Sequence, residues 1–154
     1  MKKIFATLVL TMIAGFVFSQ AQNPVSWTYE AKKKTADSYE IILTATVEHP
    51  WHIYSQHTGK GGPIATEIRF KPNPLVIVQK GTAKEIGKLE KTMDSNFGPK
   101  PIAVSYYSNK VVFVQSVKLK GNIKTNVSGI VEYMVCDDSR CLPPVKKSFD
   151  LKLQ

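Results

Sequence analysis

Apolar and polar positions alternate with a period of two along much of this chain. Tyr39, Ile41, Leu43, Ala45 and Val47 alternate with Glu40, Ile42, Thr44, Thr46 and Glu48, which places one set on each face of a strand. Val111 to Leu119 is rich in β-branched residues and ends at Gly121-Asn122, a turn pair. Gly129–Val135 reads as another strand, and near the C-terminus Phe149, Leu151 and Leu153 alternate with Ser148, Asp150 and Lys152. Shorter strands are expected at Val25–Ala31, Trp51–Tyr54, Ala65–Phe70 and Leu75–Gln79. Ala36-Asp37-Ser38, Gly59-Lys60-Gly61-Gly62-Pro63 and Lys71-Pro72-Asn73-Pro74 supply the turns between them. The pattern holds no helix longer than two turns and no internal repeat. About eight short strands punctuated in this way predict an all-β, antiparallel β-sandwich. Thr82–Ser105 is less regular and is expected to be loop-rich, and a loop that long in a compact domain often carries function.

The first 21 residues depart from this pattern. Lys2 and Lys3 precede an apolar run from Ile4 to Phe18, and Ser19-Gln20-Ala21 offers small residues for cleavage after Ala21. This predicts a secretory signal peptide at 1–21 and a single mature domain at 22–154. The apolar run is short of the roughly 20 residues that a membrane helix needs. No cysteine stands near residue 21 to take a lipid, and no second apolar segment follows. The protein is therefore expected to be exported, to a periplasm or beyond. Without Lys2 and Lys3 there are 19 basic residues against 12 acidic ones. The lysines cluster only at Lys32–Lys34 and Lys146–Lys147, neither on an amphipathic helical pattern. That spread fits a solvated basic surface and not a nucleic-acid or membrane-binding face.

The candidate chemistry lies in the two cysteines, Cys136 and Cys141. They stand at the base of an expected hairpin whose loop is Asp137-Asp138-Ser139-Arg140. Residues opposed across antiparallel strands have Cα atoms about 4.5–5.5 Å apart, which suits a disulfide. An exported protein will oxidise such a pair. The loop it closes is short, worth only about 2 kcal/mol in the chain-entropy model, and a domain of this size has no need of it. Arg140 beside Cys141 favours a thiolate there, whereas Asp137 disfavours one at Cys136. Composition and spacing alone leave both a structural clip and a redox pair open.

Several segments resemble the N-terminal periplasmic domain of the disulfide reductase DsbD, the disulfide bond corrector family. They are Val47 to Ser55, Gly62 to Thr66, and above all Tyr133 to Pro144, where strand, Cys136, short polar loop, Cys141, Leu142 and Pro143-Pro144 follow one another. The resemblance covers nearly the whole mature chain in the order of its elements. It implies an immunoglobulin-like sandwich carrying a redox-active cysteine pair, with no organic or metal cofactor. It also implies thioredoxin-fold partners, an electron donor acting in trans and acceptors such as periplasmic disulfide isomerases. Cys141 corresponds to the family cysteine that forms mixed disulfides, and Cys136 to its resolving partner. The alternative is a non-catalytic exported sandwich with an inert hairpin disulfide, in which Tyr106 and Tyr107 serve as exposed binding aromatics, although a core strand explains the two tyrosines as well.

Two features depart from the family pattern. Four residues separate the cysteines here, against five in the family pair. The family's cap loop, in which an aromatic shields the disulfide, has its counterpart in Asp94-Ser95-Asn96-Phe97-Gly98. Aligned on Asp94 and Gly98, the cap position falls on Asn96. Phe97 reaches that role with a small loop shift, and a Phe buried in the core is the alternative. Tyr54 resembles a tyrosine lining the site, and Asp94 a loop acid near the cysteines. His49, His52 and His57 with the two cysteines could be read as a metal site. Their spacing and the glycine-rich turn offer no fixed scaffold, so they are read as surface or loop histidines.

Overall fold

The structure, a computed structural model, describes residues 23–121 and 123–154, so the leader expected at 1–21 lies outside the described residues. In chain order these form β1 (Val25–Lys33), β2 (Ser38–Val47), β3 (His52–Tyr54), β4 (Glu67–Phe70), β5 (Val76–Val78) and β6 (Lys84–Gly87). There follow β7 (Glu90–Asp94), β8 (Ile102–Tyr107), β9 (Lys110–Leu119), β10 (Thr125–Tyr133), β11 (Val135–Cys136) and β12 (Val145–Leu153). No helix occurs among the described residues. The largest sheet runs β1–β2–β9–β5, and β6 also pairs with β9. Strand β9 is long enough to hold β6 along Val111–Val114 and β5 along Val117–Leu119. Two smaller sheets, β12–β10–β4 and β11–β3–β8–β7, complete the sandwich, and every pairing is antiparallel.

The alternation of β2 decides its inner face: Tyr39, Ile41, Leu43, Ala45 and Val47 are all buried. Val111, Phe113, Val117 and Leu119 of β9 join them. The two smaller sheets answer with Val127, Val131, Tyr133, Phe149 and Leu153, and with Ile53, Tyr107 and Val135. Each such large apolar side chain contributes roughly 1.5–3 kcal/mol on full burial. The Gly59–Gly62 turn packs closely on β8, where a Cβ at Gly59 would lie 2.4 Å from the Ala103 carbonyl oxygen.

Two expectations are corrected. Thr82–Ser105 is not mainly loop, because it contains β6, β7 and most of β8. Strands β6 and β7 turn few residues inward, so they carry no alternation, and their order comes from the ladders to β9 and β8. Gly129–Val135 is not one strand either. The chain leaves the β12–β10–β4 sheet at Met134 and joins β3 as β11. That change of sheet carries Cys136 beside β3 and β8.

Candidate functional site

The β11–β3–β8–β7 sheet has one face on the main core, with Ile53, Tyr107 and Val135. By strand alternation the other face carries His52 and Tyr54 of β3, Val104 and Tyr106 of β8, Glu90 and Asp94 of β7, and Cys136 of β11. Tyr54, Val104 and Cys136 form a second small apolar cluster there, and Phe97, Tyr106, Met134 and Cys141 pack against it. The structure thus brings together the predicted Cys136, Cys141, Tyr54 and Phe97, with Asp94 on the rim.

The cysteine hairpin forms as expected. Cys136 and Cys141 are opposed across a single antiparallel bridge, joined as a disulfide with Cα atoms 4.0 Å apart. The Asp137 N–H donates to the Arg140 carbonyl at 2.9 Å, and the Leu142 N–H to the Val135 carbonyl at 2.9 Å. Asp137 organises the loop, since its Oδ1 accepts the Ser139 N–H, the Ser139 hydroxyl and the Arg140 N–H, each at 2.8 Å. These hydrogen bonds hold its carboxyl below the usual carboxylate range. The Arg140 guanidinium lies over the Trp51 ring, 5.5 Å from its centroid, and its Nε is 3.9 Å from Asp137 Oδ2. The sulfurs differ in access: Cys136 is 2% exposed, whereas Cys141 is half-buried.

The surroundings are aromatic. Tyr54 is fully buried and its Oη lies 3.2 Å from His52 Nε2. Burial, with Asp94 and Tyr106 nearby, pushes the Tyr54 phenol well above its ordinary range and keeps it protonated. The Thr66 hydroxyl donates to the Tyr54 carbonyl at 2.5 Å. Phe97 stands edge-on to Tyr54, half-buried, and does not enter the main core. Its loop is shaped by Asp94, whose Oδ1 accepts the Asn96 N–H at 2.8 Å. A cleft of about 280 Å³ beside the disulfide is lined by His52, Asp94, Tyr106, Asp137 and Asp138, among others.

Two readings of single residues change. Tyr106 and Tyr107 do not form an exposed binding pair: Tyr107 is buried and its Oη donates to Glu85 at 2.8 Å, while Tyr106 is half-buried under His52. His52 is no loop histidine. It lies on β3, half-buried, with its ring centroid 4.3 Å from that of Tyr106. Its position two residues before Tyr54 in an expected strand was the available signal, because such residues share a face. Among the described residues, no three His, Cys, Asp or Glu side chains are grouped to hold a metal ion.

Residues 20–153 match the family described as thiol:disulfide interchange protein DsbD, N-terminal. The chain belongs to this family. It is accordingly a thiol–disulfide exchange module and an exported protein. Two solved structures share the fold. The N-terminal periplasmic domain of ScsB from Proteus mirabilis superposes with a TM-score of 0.54 at 18% identity, over 86% of this chain and 47% of that one. The DsbD N-terminal domain of Neisseria meningitidis in the reduced form does so with a TM-score of 0.52 at 16% identity, over 81% and 83%. The chain thus spans about half of the ScsB chain that it matches. The sandwich is immunoglobulin-like, as in the DsbD N-terminal domains. No curated protein matches the sequence. No described helix is long and apolar enough to cross a membrane.

Proposed function

We propose that Cys141 is the sulfur that exchanges with a partner and that Cys136 resolves the mixed disulfide, in a periplasmic relay between thioredoxin-fold proteins. The observation that carries this reading is the difference in access, with Cys141 half-buried and Cys136 2% exposed. A partner sulfur must approach along the S–S axis, so the more accessible sulfur is the one that enters the intermolecular bond. In the reduced protein the Cys141 thiolate attacks a partner disulfide. Cys136 then attacks Cys141, leaving the Cys136–Cys141 bond oxidised and the partner reduced. Phe97 shields the pair until a partner displaces its loop, Tyr54 forms the floor, and Asp94 holds the loop's turn. The sulfurs carry the electrons, so the reaction calls for no other cofactor.

The test is trapping. Cys136→Ser accumulates a covalent adduct with a thioredoxin-fold protein of the same compartment, and Cys141→Ser does not. Absence of any adduct from Cys136→Ser would sink the assignment. The reduction potential of the folded domain provides a second check. A value between about −180 and −270 mV is expected of an exchange protein, and one below about −300 mV marks a structural bond.

A further inference from the structure

Cys136 sits among Tyr54 and Val104 with almost no solvent contact. Apolar surroundings of this kind disfavour a thiolate. If Cys136 is the resolving sulfur, the reading on which this inference rests, its thiol needs a proton acceptor that solvent does not readily supply. The residue directly opposite Cys136 in the β11–β3 ladder is His52. Opposed residues share a face and hold their Cβ atoms about 4.5–5.5 Å apart. The His52 ring is fixed from two sides, by the Tyr106 ring at 4.3 Å between centroids and by Tyr54 Oη at 3.2 Å from Nε2.

We propose that His52 accepts the Cys136 thiol proton in the step that resolves the mixed disulfide. In the tautomer that donates from Nε2 to Tyr54 Oη, Nδ1 is left unprotonated and available. The Cys136 Sγ–H gives its proton to His52, and the thiolate attacks Cys141 Sγ. The Cys136–Cys141 bond forms as the bond from Cys141 to the partner sulfur breaks. That sulfur leaves as a thiolate and is protonated by the His52 imidazolium, which returns to neutral. Over the whole reaction the two cysteines lose two electrons and the partner disulfide gains them.

The surroundings suit both charge states. Burial pulls the imidazole below its ordinary value, so the resting ring is neutral and able to accept. Glu90 and Asp94 of β7, and Asp137 and Asp138 of the hairpin loop, oppose that shift and stabilise the imidazolium when it forms. Tyr54 and Tyr106 are held protonated, so neither competes as a base. The loop's cation, Arg140, is stacked over Trp51.

The experiment follows the reduced domain by stopped flow with dithiodipyridine, a chromogenic disulfide. The first thiopyridone reports attack by Cys141 and the second reports resolution by Cys136. His52→Gln keeps a hydrogen-bonding side chain beside Tyr54, and His52→Phe keeps a ring on Tyr106. In both, the second release slows roughly 10- to 100-fold while the first is unchanged. The wild-type second phase also shows a pH inflection below the ordinary histidine value of about 6.5, which both variants lack. An unchanged second phase overturns the role of His52, as does a uniform slowing that retains the inflection. Cys136→Ser and Cys141→Ser separate this from failure of the underlying reading. Cys136→Ser must release one thiopyridone and Cys141→Ser none, and the reverse would overturn the sulfur assignment and this proposal with it.

Discussion

Phe97 meets Tyr54 edge-on, with ring centroids 6.3 Å apart, and both rings belong to the cluster that holds the disulfide. Phe97 lies three residues beyond Asp94, in a loop whose turn is held by the Asn96 N–H donating to Asp94 Oδ1. Its position over Tyr54 is a contact that a docking partner can exchange for one of its own. Phe97→Ala should speed reduction of the disulfide by dithiothreitol roughly 3- to 10-fold, equivalent to about 0.7–1.4 kcal/mol of lost shielding. Thiol-release kinetics on the folded protein check this, and an unchanged rate rejects a shielding role.

Asp137 gives the hairpin loop a pH dependence of known sign. Its carboxyl is held below the ordinary range by the Ser139 and Arg140 hydrogen bonds. A carboxylate with a depressed folded-state value binds fewer protons folded than unfolded. Its stabilisation is therefore full above the unfolded value of about 3.9 and is lost as pH falls through the folded one. Asp137→Asn, which keeps an acceptor oxygen but does not titrate, should make stability fall less steeply below about pH 4. Urea unfolding across that range reads the difference, and parallel curves would show that Asp137 does not couple to folding.

Glu85 joins three elements behind the site. Its carboxylate accepts the Ser55 hydroxyl at 2.7 Å, the Gln56 N–H at 2.7 Å, the Gln56 side-chain amide at 3.2 Å and Tyr107 Oη at 2.8 Å. Ser55 and Tyr107 are buried, so removing the acceptor strands donors away from water. Glu85→Ala should cost about 2–4 kcal/mol. The urea midpoint should drop with little change in slope, and an unchanged midpoint would show that water replaces the carboxylate.

Gly129 of β10 lies between β4 and β12, where a Cβ would meet the Arg69 carbonyl oxygen and the Phe149 ring, both at 2.5 Å. Neither can move without disturbing a ladder or the core. Gly129→Ala should destabilise the domain by about 1–3 kcal/mol, as overpacking does. The reduction potential should hold, because the disulfide lies in the other small sheet. Thermal unfolding and thiol equilibration together test this separation, and a shifted potential would show that the two sheets are coupled.

The strands that bury every second residue could be read from the chain itself. In β2 the inward positions are all apolar, and in β9 and β12 they are apolar except at Gln115 and Lys147, because burial on one face of a strand imposes that period. The hairpin was legible for a local reason, because Cys136 and Cys141 are five residues apart and any tight antiparallel turn brings them together. Tertiary structure alone decided the rest. Strands β6 and β7 are ordered by ladders to β9 and β8, and their own side chains mostly face solvent. The break at Met134 is set by which sheet has a free edge, a property of the assembled layers. His52 stands opposite Cys136 and against the Tyr106 ring because three strands distant in sequence share one sheet face. Periodicity reports how a strand meets a core, whereas a site on the opposite face is built by pairing between strands, which leaves no period in any one of them.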